Sequence, residues 1–66
     1  MLVKVNGSEI TLNEKQTVRE FLDSRDIKPE TVVVELNRTI LHRDEWNNTD
    51  LKENDAMEIL SFVSGG

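Results

Sequence analysis

Cysteine is absent from the chain. Disulfides, a thiol nucleophile and a thiolate metal site are therefore excluded. His42 is the only histidine, so no metal site can rest on a pair of imidazoles. The three glycines are Gly7, Gly65 and Gly66, which leaves no glycine-rich loop to cradle a phosphate. Long apolar runs are missing too. Nothing approaches the ~20 residues that cross a bilayer, and "MLVKVNG" is too short and too patterned for a signal peptide. Positive charge is in deficit: 8 Lys and Arg stand against 13 Asp and Glu, a net charge of -5. Nucleic acids and anionic membranes require basic patches, so neither is an expected ligand. The same balance favours a protein partner with a basic docking surface. A soluble, cytoplasmic protein is expected.

With 66 residues, 36% hydrophobic and 32% charged, the chain reads as one small globular domain. A domain of this size buries only about 60% of the surface exposed by its unfolded chain. Without staples it must rely on a compact core and good local propensities.

The hydrophobic pattern begins with period two. Met1, Val3 and Val5 share one face of "MLVKV", and Asn6-Gly7 is a strong signal for a type I′ hairpin turn. Ile10 and Leu12 continue the alternation on the return strand. The period then changes: Val18, Phe21 and Leu22 fall on one helical face of "TVREFLDSRDI", with Ile27 beyond the last turn. Thr17 and Glu20 have the spacing of a capping box, and Pro29 stops continuation. The predicted helix has about two to three turns. "VVVELN" predicts a strand with Val32, Val34 and Leu36 alternating, followed by a turn at Asn37–Thr39 and a short strand "ILH". "RDEWNNTD" predicts an irregular or single-turn segment pinned by Trp46. Asn54 suits a left-handed turn. The last strand is predicted over Met57–Val63, with Met57, Ile59, Ser61 and Val63 on one face and Leu60 and Phe62 on the other.

Strand, strand, helix, strand, short strand, strand predicts an α+β domain. The last strand is expected beside the first and parallel to it, which is the β-grasp, or ubiquitin-like, arrangement. The expected sheet is mixed and four- to five-stranded, with one amphipathic helix on one face. Residues 1–63 form the domain and 64–66 a flexible tail.

Catalytic side chains are not evident. Asp44, Glu45, Asp50, Glu53 and Asp55 lie in polar loops, where nothing points to the desolvation that an acid/base pair needs. His42, on a short strand, reads as a surface residue. The chemically available group is the α-carboxylate of Gly66. Two glycines lack Cβ atoms, so the tail can enter a narrow channel and the carbonyl is open on both faces. Val63–Gly66 spans about 13–14 Å when extended, at about 3.3–3.6 Å per residue. That length could deliver a carboxylate into an active site while the domain docks outside. Leu60 and Phe62, on the face that the helix leaves uncovered, are candidate docking residues. Trp46 and Arg43 are further candidates for partner contact. For Trp46 the first expectation is packing beneath the loop, and for Arg43 it is pairing with nearby carboxylates or carbonyls.

A β-grasp pattern ending in free Gly-Gly resembles the sulfur-carrier proteins, and among them the ThiS family of thiamine biosynthesis. The resemblance runs over essentially the whole chain: "VNG" after the first strand, "TVREFL" opening the helix, "VVVELNRTILHRDEW", then "LKENDAMEILSFVSGG". Asn37, the Arg43-x-x-Trp46 pair and Gly65-Gly66 follow the family pattern. The family usually has Gly-Asp at Asn54-Asp55, a turn that Asn also satisfies.

The resemblance implies a mechanism. An E1-like (ThiF-like) adenylyltransferase would use ATP to convert the Gly66 carboxylate to an acyl-adenylate. Sulfur passed on by a sulfur-transferring enzyme would displace AMP, leaving a thiocarboxylate on a tail that includes Ser64 and Gly65. A ThiG-like thiazole synthase would accept that sulfur. It also implies a protein co-substrate rather than an enzyme, without a cofactor of its own and monomeric when free. Two alternatives share the adenylation chemistry: a protein modifier joined through Gly66 to lysine amines, and sulfur donation to another pathway such as molybdopterin.

Overall fold

A computed structural model describes residues 1–62. The expected strand end at Val63 and the expected mobile tail, Ser64 to Gly66, lie outside the described residues.

The first strand, β1 (Leu2–Val5), turns through Asn6 and Gly7 into β2 (Ser8–Thr11). Both turn residues have positive φ, 51° and 84°, as a type I′ turn requires. Helix α1 spans Val18–Ser24. Thr17 caps it: its Oγ1 accepts the Glu20 amide at 3.1 Å, and the Glu20 carboxylate accepts the Thr17 amide at 2.9 Å. The helix runs for only two turns. Its end is followed by Asp26 at φ 58°, and Ile27 folds back so that its amide donates to the Leu22 carbonyl at 3.0 Å. Because the helix is so short, its cap carries a large share of its stability. Thr17→Ala is expected to lower the unfolding free energy by about 1 kcal/mol, read from urea denaturation.

A 3-10 turn at Pro29–Thr31 leads into β3 (Val32–Leu36), and Asn37-Arg38 turns it back into β4 (Thr39–Leu41). Both turn residues again have positive φ, 52° and 71°. A longer 3-10 segment, Arg43–Asn48, follows, and the chain re-enters the sheet as β5 (Ala56–Ser61). Asn54 is left-handed at φ 68°, as its place in the turn predicts.

The sheet has five strands in the order β2-β1-β5-β3-β4. β5 lies in the middle, parallel to β1 and antiparallel to β3. This is the expected β-grasp layout. β5 begins one residue earlier than predicted, and its pairing with β3 ends at Ser61, opposite Val32.

The core lies between α1 and one face of the sheet. Val3, Leu12, Val32, Val34 and Met57 from the sheet side meet Val18, Phe21 and Leu22 from the helix. Trp46 and Leu51 close one side. Ile59 was expected in this core beside Met57. It is only half-buried, because the β1–β5 register extends no further than Val5 opposite Met57 and α1 stops at Ser24.

Three of the acidic loop residues, Glu45, Glu53 and Asp55, accept backbone amides. Asp55 accepts the Lys52 amide at 2.8 Å and the Asn37 side-chain amide at 2.9 Å, and Glu53 accepts the Leu2 amide at 3.2 Å. Glu45 accepts the His42 amide at 3.1 Å, and Asp50 pairs with Lys15 at 3.4 Å.

Candidate functional site

The end of the sheet from which the chain leaves toward Gly66 is built by β5. Its central position holds it on both sides. Toward β3, the Phe62 amide donates to the Thr31 carbonyl at 3.0 Å. Toward β1, Asn6 clamps Ile59: Oδ1 accepts the Ile59 amide at 2.7 Å and Nδ2 donates to the Ile59 carbonyl at 3.3 Å. β5 is thus held on both sides near its C-terminal end, at Ile59 and Phe62.

Strand alternation turns Met57 to the helix and Leu60 and Phe62 to the open face. Met57 is 1% exposed, whereas Leu60 and Phe62 are 47% and 56% exposed. Ile40, 54% exposed, joins them from β4. Ile40 was not singled out from the sequence. The signal was available: the two-residue turn at Asn37-Arg38 sets Ile40 opposite Glu35, and so on the outward face.

Arg43, Trp46 and Phe62 come together around a shallow depression of about 190 Å³, with Ile40, Val33 and Pro29 also contributing. Leu60 lies outside it, opposite Val33 on the neighbouring strand. Arg43 is exposed, and among the described residues it takes part in neither of the two ion pairs. Trp46 packs beneath its loop, as first expected, and the alternative of partner contact fails. It is 2% exposed, and its indole N–H donates to the Leu41 carbonyl at 3.0 Å. A buried indole with its donor satisfied is a packing anchor, so Trp46 offers a partner almost no surface. Its effect is indirect: it holds the segment that carries Arg43.

Glu35 and Glu58 face each other directly across β3 and β5 on the open face. Like charges directly opposite oppose sheet pairing, and hydrophobic packing on the other face outweighs this here. Among the described residues no group of His, Asp and Glu is arranged to hold a metal ion, and no helix is long and apolar enough to cross a membrane. Gly66, Gly65 and Ser64, the residues expected to carry the chemistry, lie outside the described residues.

Comparison with known proteins decides the family. The ThiS family model matches residues 2–66. The chain belongs to the ThiS family. The fold agrees with the crystal structure of the thiamine biosynthesis protein ThiS from Geobacter metallireducens, at a TM-score of 0.85 and 38% identity, with all of both chains covered. The sulfur carrier protein ThiS of Bacillus subtilis is 27% identical over 66 residues, which cover 98% of this chain and all of that protein. A thiazole synthase from Magnetococcus marinus is 29% identical over the whole of this chain, which corresponds to 20% of that larger protein.

Proposed function

We propose that the chain is a ThiS-type sulfur carrier for thiamine biosynthesis, and that its working group is the Gly66 carboxylate. The observation that carries this is the end-to-end agreement in fold and sequence with a ThiS structure. A carboxylate is a poor electrophile, so an E1-like enzyme first joins it to the α-phosphorus of ATP, with pyrophosphate leaving. A sulfide-level sulfur nucleophile supplied by a sulfur-transferring partner then attacks the acyl carbon of the adenylate, and AMP departs with the electron pair of the broken C–O bond. The resulting thiocarboxylate is delivered to a thiazole synthase. The match to a thiazole synthase that contains a similar stretch supports that partner. ATP is consumed by the adenylyltransferase, and the carrier is a co-substrate without catalytic side chains or a cofactor of its own.

The domain's part is docking and aim. Leu60, Phe62 and Ile40 provide apolar contact beside the departing tail, with Arg43 at the margin. The opposed Glu35 and Glu58 favour a cationic side chain from the partner, consistent with the net charge of -5.

Intact-mass measurement tests the sulfur step. After incubation with the adenylyltransferase, ATP and a sulfur source, one oxygen should be exchanged for sulfur at Gly66, located by fragmentation. A ladder of adducts on lysines of other proteins, with no thiocarboxylate, would instead establish a protein modifier.

A further inference from the structure

On the helix side of the sheet, at the same end as the tail, lies an open groove of about 500 Å³. It exists because α1 is too short to cover Ile59. Val5, Ile10, Phe21, Ile27 and Ile59 line it with apolar surface. Arg25 and Lys28 stand at its rim, with Asp26 between them, so the rim is net positive in a chain that is net negative. The Arg25 guanidinium is set over the Phe21 ring, 4.9 Å from its centroid, and is thereby held beside the groove.

One wall of the groove is an open strand edge. In β5 the backbone groups of Met57 and Ile59 point toward β1, where the Met57 carbonyl accepts the Asn6 amide at 2.9 Å. Alternation turns the Ser61 N–H and C=O to the same side. β1 has already ended there, and among the described residues nothing pairs with either group. The Asn6 side-chain amide occupies the preceding pair of ladder positions, at Ile59. The edge therefore already accepts amide geometry one step before Ser61.

We infer that this groove is a second docking site, which takes an extended, acidic protein segment as an added strand beside Ser61. Among the described residues the Ser61 donor and acceptor have no partner, and together they select a peptide backbone over a flat surface. The apolar floor takes alternate side chains of the segment. Arg25 and Lys28 select carboxylates among the others. The site lies on the opposite face of the sheet from Leu60 and Phe62, so both faces can be engaged at once.

The test is an NMR titration of the full chain with two blocked peptides, one alternating valine with glutamate and one alternating valine with lysine. Overall charge favours the lysine peptide, whereas the groove favours the glutamate peptide. The expected result is preferential binding of the glutamate peptide, with shifts at Asn6, Arg25, Lys28, Ile59 and Ser61 and slowed exchange of the Ser61 amide. Ser61→Pro removes that donor but keeps the bonds to β3, which are made by Leu60 and Phe62. It should leave the melting temperature nearly unchanged and weaken the glutamate peptide about tenfold, the value of roughly one hydrogen bond. Ser61→Ala should bind normally. Equal or stronger binding of the lysine peptide, shifts confined to Ile40 and Leu60, self-association through the Ser61 edge, no binding at millimolar peptide, or full affinity in Ser61→Pro would each overturn the inference.

Discussion

Deleting Gly66, or adding one residue after it, is expected to abolish ATP–pyrophosphate exchange with the cognate adenylyltransferase while the unfolding transition stays where it is. Among the described residues the buried core runs from Val3 to Met57, and the fold is expected to survive a change at position 66. The position of the carboxylate does change. Each extended residue spans about 3.3–3.6 Å, and in a preorganised site a misplacement of about 1 Å can cost about 100-fold. An added residue therefore leaves the docked domain with its reactive group well out of register. Truncation leaves it equally short. Normal exchange by either variant would show that the reactive group is not the Gly66 carboxylate.

The second large effect separates the two faces of the sheet. Phe62→Ala should weaken binding to the adenylyltransferase or thiazole synthase by about 10- to 150-fold, equivalent to about 1.5–3 kcal/mol for burying one large apolar side chain. Its effect on folding should be small, because Phe62 is more than half exposed. Met57→Ala should do the reverse. It opens a cavity against Val18, Phe21 and Leu22 at a cost of about 2–5 kcal/mol. A domain of 66 residues has a total stability of roughly 3–10 kcal/mol, so this variant approaches the point of unfolding at room temperature. Ile59→Ala should fall between the two, since Ile59 is half-buried at the groove. Unfolding free energies together with partner affinities for the three variants decide the matter. Equal destabilisation by Phe62→Ala and Met57→Ala would mean that the open face is not open.

Much of the fold was legible because local signals agreed with one another. Asn6-Gly7 can make the hairpin turn with little strain, and its φ values follow. Thr17 and Glu20 have the spacing of a capping box, and both reciprocal bonds form. Val32, Val34 and Leu36 alternate, and β3 buries the first two and half-buries the third. Less legible were features that depend on where a neighbouring element stops. Ile59 has the pattern of a core residue and fails to be one because α1 and β1 both end short of it. Trp46 could be assigned to packing or to a partner by its chemistry alone; the Leu41 carbonyl at its N–H and the surrounding core settle it as packing.

By itself, the sequence determined the order of the elements, the residues that face the helix, the absence of thiol and paired-imidazole chemistry, and the pairing of a β-grasp pattern with Gly65-Gly66. These are local or compositional properties, written in periodicity, turn chemistry and residue type. The tertiary structure alone decided that Glu35 opposes Glu58, and that, among the described residues, the Ser61 backbone has no partner on the side of β1, beside a groove. Each of these depends on register between strands distant in the chain, and on the end of one strand relative to the next. Those relations are set by packing the whole sheet against a two-turn helix, and no local stretch of sequence encodes them.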